Sequence, residues 1–277
     1  MDLRVSVEKA KLLRQKAKET LAVNRRENQA PGTPVGTAPV YSECRCVNLD
    51  TKKALANRCV CLSPDAPELG YYKLLRTRIQ QRCQVNGWNT VMITSAVPGE
   101  GKTLTAINLA LAFAMAYNQT ALLVDCDLRR QRVQHYLGLR NERGLADYLE
   151  NGTPLKDLIF WPGVEKLTII SGGKPVHDSA ELIGSQKMAA LATEMKTRYA
   201  DRYIFFDVPP LLAEADALAF APLVDCILMV IEPRTPFQAI EKALDLVPKE
   251  KFLGFALNKA KPSENGYHYY KYGYGRS

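Results

Sequence analysis

The run Ser95-Ala96-Val97-Pro98-Gly99-Glu100-Gly101-Lys102-Thr103 lies between a strand-forming stretch, Val91-Met92-Ile93-Thr94, and an uncharged, proline-free run from Leu104 to Tyr117. Strand, glycine-rich turn and buried helix in that order make a phosphate-binding loop. The helix N-terminus points at the loop. Backbone N–H groups of Gly99 to Thr103 can therefore converge on phosphate oxygens, Lys102 can reach the terminal phosphates, and the Thr103 hydroxyl can ligate Mg2+. Pro98, Gly99, Glu100, Gly101, Lys102, Thr103 and Leu104 form the candidate nucleotide-binding segment. The strict pattern has glycine six residues before the lysine, where this chain has Ala96. On the loop alone, an ordinary glycine-rich strand-to-helix turn is the alternative, and the acidic motifs downstream decide between them.

Outward from the loop, Ala121-Leu122-Leu123-Val124 is a continuous apolar run ending in Asp125-Cys126-Asp127-Leu128-Arg129-Arg130. It reads as a parallel strand whose alternation sets Asp125 and Asp127 on one side at its C-terminal end, where open α/β sheets bind ligands. Tyr203-Ile204-Phe205-Phe206-Asp207 is a second such strand, stopped by Val208-Pro209-Pro210. Cys226 to Ile231 and Phe252 to Leu257 are two more, the last ending at Asn258-Lys259. An amide beside a lysine at that edge can read a nucleotide base; the alternative is a strand-terminating turn. Leu167 to Ile170 is a further short strand. Helices are expected over Tyr71 to Val85, with Leu74, Leu75 and Ile79 inward and Lys73, Arg76, Arg78 and Arg82 outward, over a surface-lying Gly144 to Phe160, and from Glu181 to about Tyr199. The alternation of strands and helices predicts a doubly wound, mostly parallel α/β sheet.

A chain of 277 residues accommodates such a domain, here expected over 67–261, with appendages. Residues 1–26 have an apolar stripe of Val7, Ala10, Leu13, Ala17 and Leu21 among eight basic and three acidic side chains. A basic amphipathic helix of this kind lies on an anionic membrane surface, docks on a partner, or is simply solvated. Residues 27–40, rich in Pro and Gly, read as a linker. In 41–66, Cys44-Arg45-Cys46 and Cys59-Val60-Cys61 invite a zinc reading. The single-residue spacing suits strand alternation of small buried side chains better than the usual zinc ligands. The tail, 262–277, displays Tyr267, Tyr269, Tyr270, Tyr272 and Tyr274 among glycines, as phosphate acceptors, as stacking residues for nucleic acid or a partner, or as an uncommitted sticky tail. The longest apolar run is too short to span a membrane and no apolar leader follows the N-terminus, so the expected location is cytoplasmic. Seven cysteines, an odd number, point to reduced thiols. The net charge of +8 favours anionic partners. A nucleic-acid partner rests only on that charge and the tyrosine tail and ranks last.

Taken together, these motifs closely resemble the bacterial tyrosine kinase family, whose catalytic domain has a P-loop NTPase (phosphate-loop) fold. The resemblance covers about Pro67 to the C-terminus and is carried by Ala96 to Thr103, Leu122 to Arg129 and Ile204 to Pro210. It implies ATP and Mg2+ as cofactors, Lys102 on the β and γ phosphates, Thr103, Asp127 and Asp207 at Mg2+, Asp125 as proton acceptor, and the C-terminal tyrosines as autophosphorylation sites. It also implies a role in exopolysaccharide or capsule production, a membrane-anchored activator that recruits the kinase to the inner face of the cell membrane, and a homo-oligomer. Val208 replaces the family's usual Thr or Ser. Gly70 and Lys73 stand where its oligomerisation helix has Glu and Arg, with Arg76 alone matching. Two other readings share the motifs: an ATPase switch of the partitioning or septum-positioning type, and a nucleotide-sensing scaffold on polysaccharide machinery. The first carries an extra lysine five residues before the loop lysine, where this chain has Val97.

Overall fold

The computed structural model describes residues 45–140, 143–199 and 201–260. The basic segment 1–26, the linker 27–40, Cys44 and the tyrosine tail lie outside the described residues. In chain order the elements are β1 (Arg45–Cys46), α1 (Thr51–Ala56), α2 (Leu69–Asn86), β2 (Thr90–Ser95), α3 (Lys102–Ala114), β3 (Thr120–Asp125), α4 (Arg132–Leu137), α5 (Leu145–Asn151), α6 (Leu155–Leu158), β4 (Phe160–Trp161), β5 (Leu167–Ile170), α7 (Ser179–Ile183), α8 (Gln186–Arg198), β6 (Arg202–Asp207), α9 (Asp216–Phe220), β7 (Cys226–Ile231), α10 (Phe237–Asp245) and β8 (Phe252–Leu257). The strands form one sheet in the order β1-β4-β5-β3-β6-β2-β7-β8. It is parallel from β5 to β8, and β4 runs antiparallel to β5.

The central strands are apolar at nearly every position because a parallel sheet is covered on both faces. Alternation divides β2 between two cores. Val91 and Ile93 join Leu123, Phe205 and α3 on one face. Met92 joins Leu122, Ile204 and Phe206, with α5, α8 and α9, on the other. Phe113 of α3 packs 4.7 Å from the Tyr203 ring and 4.9 Å from Phe205. Helix α3 is apolar on all sides because the sheet covers one flank and α2, with a 3-10 turn at Val60–Leu62, covers the other. Asn108 of α3 ties that turn down. Its side-chain oxygen accepts from Cys61 N at 3.0 Å and its amide donates to Arg58 O at 3.1 Å. Residues 45–66 thus contribute a strand and buried side chains to the same sheet and core.

Several elements differ from the sequence expectations. The stretch Gly144 to Phe160 is two short helices and a strand, because Gly152 ends α5 in a left-handed conformation (φ +70°) and Pro154 precedes α6. It is not surface-lying, since Leu145, Ala146 and Leu149 are buried. The helix expected to run to Tyr199 breaks at Gly184, and Ser185 caps α8 by accepting from Met188 N at 3.2 Å. Leu74 is exposed rather than inward. Arg76 and Arg82 are not simply solvated: their guanidinium groups donate to Ala112 O at 2.9 Å and Leu253 O at 2.7 Å. Cys59 caps the 3-10 turn Val60–Leu62 and Cys61 lies within it, both buried and neither on a strand, and Cys46 is exposed on β1. Among the described residues no group of three or more His, Cys, Asp or Glu side chains is placed to hold a metal ion. No helix among them is long and apolar enough to cross a membrane.

Candidate functional site

The chain leaves β2 into the phosphate loop and returns through α3 to β3, skipping the position that β6 fills. The C-terminal ends of β6 and, beyond it, β3 therefore lie to one side of the loop, with Asp125 directly opposite Asp207 in register. This is a topological switch point of an open α/β sheet. Gly99 and Gly101 both take φ +93°, a left-handed backbone natural only to glycine, and Gly101 caps α3.

Lys102, at the first position of α3, reaches across the strand ends. Its ammonium lies 2.8 Å from Asp127 Oδ2, 3.3 Å from Asp207 Oδ1 and 3.4 Å from Thr103 Oγ1. Burial alone would lower its proton affinity, but Asp207 and Asp127 reverse this and hold it charged. Asp125 is fully buried. Its two oxygens accept backbone N–H groups of Asp127 and Val133, both at 3.2 Å. Burial first, and then the charge of Asp207, push its carboxyl well above the usual carboxylate range. Burial likewise raises Asp207, with Lys102 and Thr103 opposing. Asp207 Oδ2 accepts no hydrogen bond among the described residues. A buried carboxylate oxygen in that position suits a divalent cation, and Thr103, Asp127 and Asp207 are oxygen donors of the kind Mg2+ takes.

The sequence candidates are thus brought together at Lys102, Thr103, Asp125, Asp127 and Asp207. Pro98 and Gly99 lie exposed at the loop tip. The Leu104 side chain, in the first turn of α3, is partly buried against the core. Glu100 is 1% exposed, its carboxylate turned back to Val97 N at 2.8 Å. Asn258, expected to read a base, donates its amide to Glu100 O at 2.8 Å. Two participants went unread in the sequence. The Thr94 hydroxyl donates to Pro209 O at 2.6 Å, joining the end of β2 to the turn after β6, and Thr235 bonds the Glu100 carboxylate. Thr235 follows a buried strand at the same sheet edge as the aspartates, and that position was the available signal. The tyrosine candidates, Tyr267 to Tyr274, lie outside the described residues.

The chain is 34% identical over 206 residues to tyrosine-protein kinase YwqD of Bacillus subtilis, a match spanning 73% of this chain and 84% of the relative. The chain belongs to the bacterial tyrosine-protein kinase family. The putative tyrosine-protein kinase CapB of Staphylococcus aureus is 32% identical over 206 residues, covering 73% of this chain and 89% of that one. No family model matches the sequence. The solved structure of the chimerical protein CapA2B2 superposes with a TM-score of 0.65 at 25% identity, over 79% of this chain and 93% of that one. The fold is the P-loop NTPase fold, and the enzyme is a protein-tyrosine kinase, a nucleotide-using phosphotransferase, rather than a kinase of the Gly-rich-loop type.

Proposed function

We propose that the kinase uses ATP with Mg2+ to phosphorylate its own C-terminal tyrosines, Tyr267, Tyr269, Tyr270, Tyr272 and Tyr274, and thereby regulates exopolysaccharide or capsule synthesis. The observation that supports this reading is the convergence of Lys102 on Asp127 and Asp207 at adjoining strand ends. In this reading the loop amides and Lys102 bind the β and γ phosphates, and Thr103, Asp127 and Asp207 hold the cation, which neutralises charge on the transferred group. Asp125 takes the phenolic proton. A tyrosine of pKa about 10 needs a proton acceptor at neutral pH, and the raised proton affinity of Asp125 suits that task. The likeness to a chimerical CapA2B2 protein agrees with a separate membrane-anchored activator that brings this cytoplasmic chain to the membrane, with residues 1–26 as a second contact. A homo-oligomer would present one copy's tail to another copy's site.

The experiment is phosphotyrosine mapping after incubation with labelled ATP and Mg2+, with and without a fused activator segment. Lys102→Met abolishes the label. Asp125→Asn lowers it while ADP still binds. Absence of label from the tail in both forms refutes the kinase reading of that tail. The ATPase-switch reading is disfavoured by Val97, which stands where those proteins place their additional lysine.

A further inference from the structure

The phosphate loop is gripped from outside its own motif. Gly99 O accepts from Lys259 Nζ at 2.6 Å, and Glu100 O accepts from Asn258 Nδ2 at 2.8 Å. In a trans peptide the C=O and the N–H point in opposite directions, and no peptide among the described residues is cis. Drawing those two carbonyls toward the end of β8 therefore turns the N–H groups of Glu100 and Gly101 the other way. Among the described residues neither N–H donates to a protein acceptor. Orphan amides ahead of a helix N-terminus are what an anion takes.

The grip is itself held in place. Lys259 Nζ also pairs with Glu232 Oε2 at 2.7 Å. Lys259 has φ +55°, a backbone that a lysine adopts where its contacts over-determine it. Asn258 N donates to Ile231 O at 2.8 Å, anchoring this turn to the end of β7. Thr235 uses both capacities of its hydroxyl: it donates to the buried Glu100 carboxylate and accepts the Glu232 N–H at 3.2 Å. One side chain thus ties the turn after β7 to the loop. Gly101 makes room for the brace, since a Cβ there would meet Asn258 Nδ2 at 2.1 Å.

We infer that Thr235, Glu232 and Lys259 are positioning residues that, with Asn258, aim the amides of Glu100 and Gly101 at the nucleotide phosphates. They set nucleotide affinity more than the rate of transfer. This rests on the reading of the loop as the nucleotide site. The test uses the full chain, with ADP and Mg2+ titrated calorimetrically and KM and kcat measured for ATP. Thr235→Val and Lys259→Met raise Kd for ADP and KM for ATP about tenfold each, the size expected for one charge-assisted bond, with kcat within about threefold. Thr235→Ser and Lys259→Arg restore most of the affinity. The Lys259 side chain is half exposed, so Lys259→Met probes the same link in a folded chain should the more buried Thr235→Val fail to fold. If the wild type binds ADP and both variants bind it equally well, the positioning inference falls and the nucleotide reading stands. If the wild type binds no ADP, both fall. An equal loss in the conservative variants, or a loss confined to kcat, also overturns the inference.

Discussion

Three carboxylates, Asp125, Asp127 and Asp207, face one buried ammonium, and Lys102→Met removes it while keeping most of the side-chain volume. In the wild type the Lys102 ammonium stands 2.8 Å from Asp127 and 3.3 Å from Asp207. Breaking a buried pair by deleting one partner costs about 3–5 kcal/mol, because the remaining charges keep their desolvation penalty. For a domain of this size that lowers the melting temperature by roughly 6–20 °C. The pH dependence has a definite sign. Asp125 and Asp207 both hold their protons more tightly in the folded chain than in the unfolded one. Such groups cost no stability below about pH 4, where the unfolded carboxyls are also protonated. They cost progressively more as pH rises through the folded values. Without Lys102 those folded values rise further, so the destabilisation of Lys102→Met is small near about pH 4.5 and grows toward about pH 8. Thermal melts across that range, with chelator and no nucleotide, measure it. A variant that melts with the wild type near pH 8, or is destabilised equally at both ends of the range, would falsify the charge arrangement described here.

Gly101→Ala places a Cβ 2.1 Å from Asn258 Nδ2 at φ +93°, so it displaces the amide from Glu100 O. The expected result is a weakening of ADP binding of at least about tenfold with the global melt lowered by only a few degrees, since one loop bears the change. Burial pushes the Cys59 and Cys61 thiols up to about 12, whereas Cys46 is exposed. At about pH 8 an alkylating reagent should therefore label Cys46 and spare Cys59 and Cys61 until denaturant is added, as peptide mapping by mass spectrometry will read.

The parts of the fold that were legible in the sequence are those whose signal is local. A buried parallel strand needs apolar side chains on both faces, and the runs at Val91, Ala121, Ile204 and Cys226 showed it. The two long helical readings failed where a short signal was outweighed by surrounding periodicity. Gly152-Thr153-Pro154 and Gly184-Ser185 are ordinary helix stops and starts, and in each case the apolar pattern continued past them. Arg76 and Arg82 look solvent-facing on a helix with exposed neighbours. Only the distance to the Ala112 and Leu253 carbonyls, on other elements, shows them bonded.

What the sequence determined by itself is the chemistry of the site: a loop lysine and hydroxyl, and three aspartates delivered by strand ends, because strand alternation and the loop pattern operate within a few residues. The tertiary structure decided how those groups meet. It set Asp125 opposite Asp207, closed Lys102 onto Asp127 and Asp207, and turned Asn258, Lys259 and Thr235 onto the loop from strands that lie more than a hundred residues away. Those contacts depend on the order of strands across the sheet, which no local pattern encodes. The loop at Ser95 to Thr103 is thus marked by its own residues as the proposed phosphate site, and its Gly99 and Glu100 carbonyls are held by side chains that lie outside its motif.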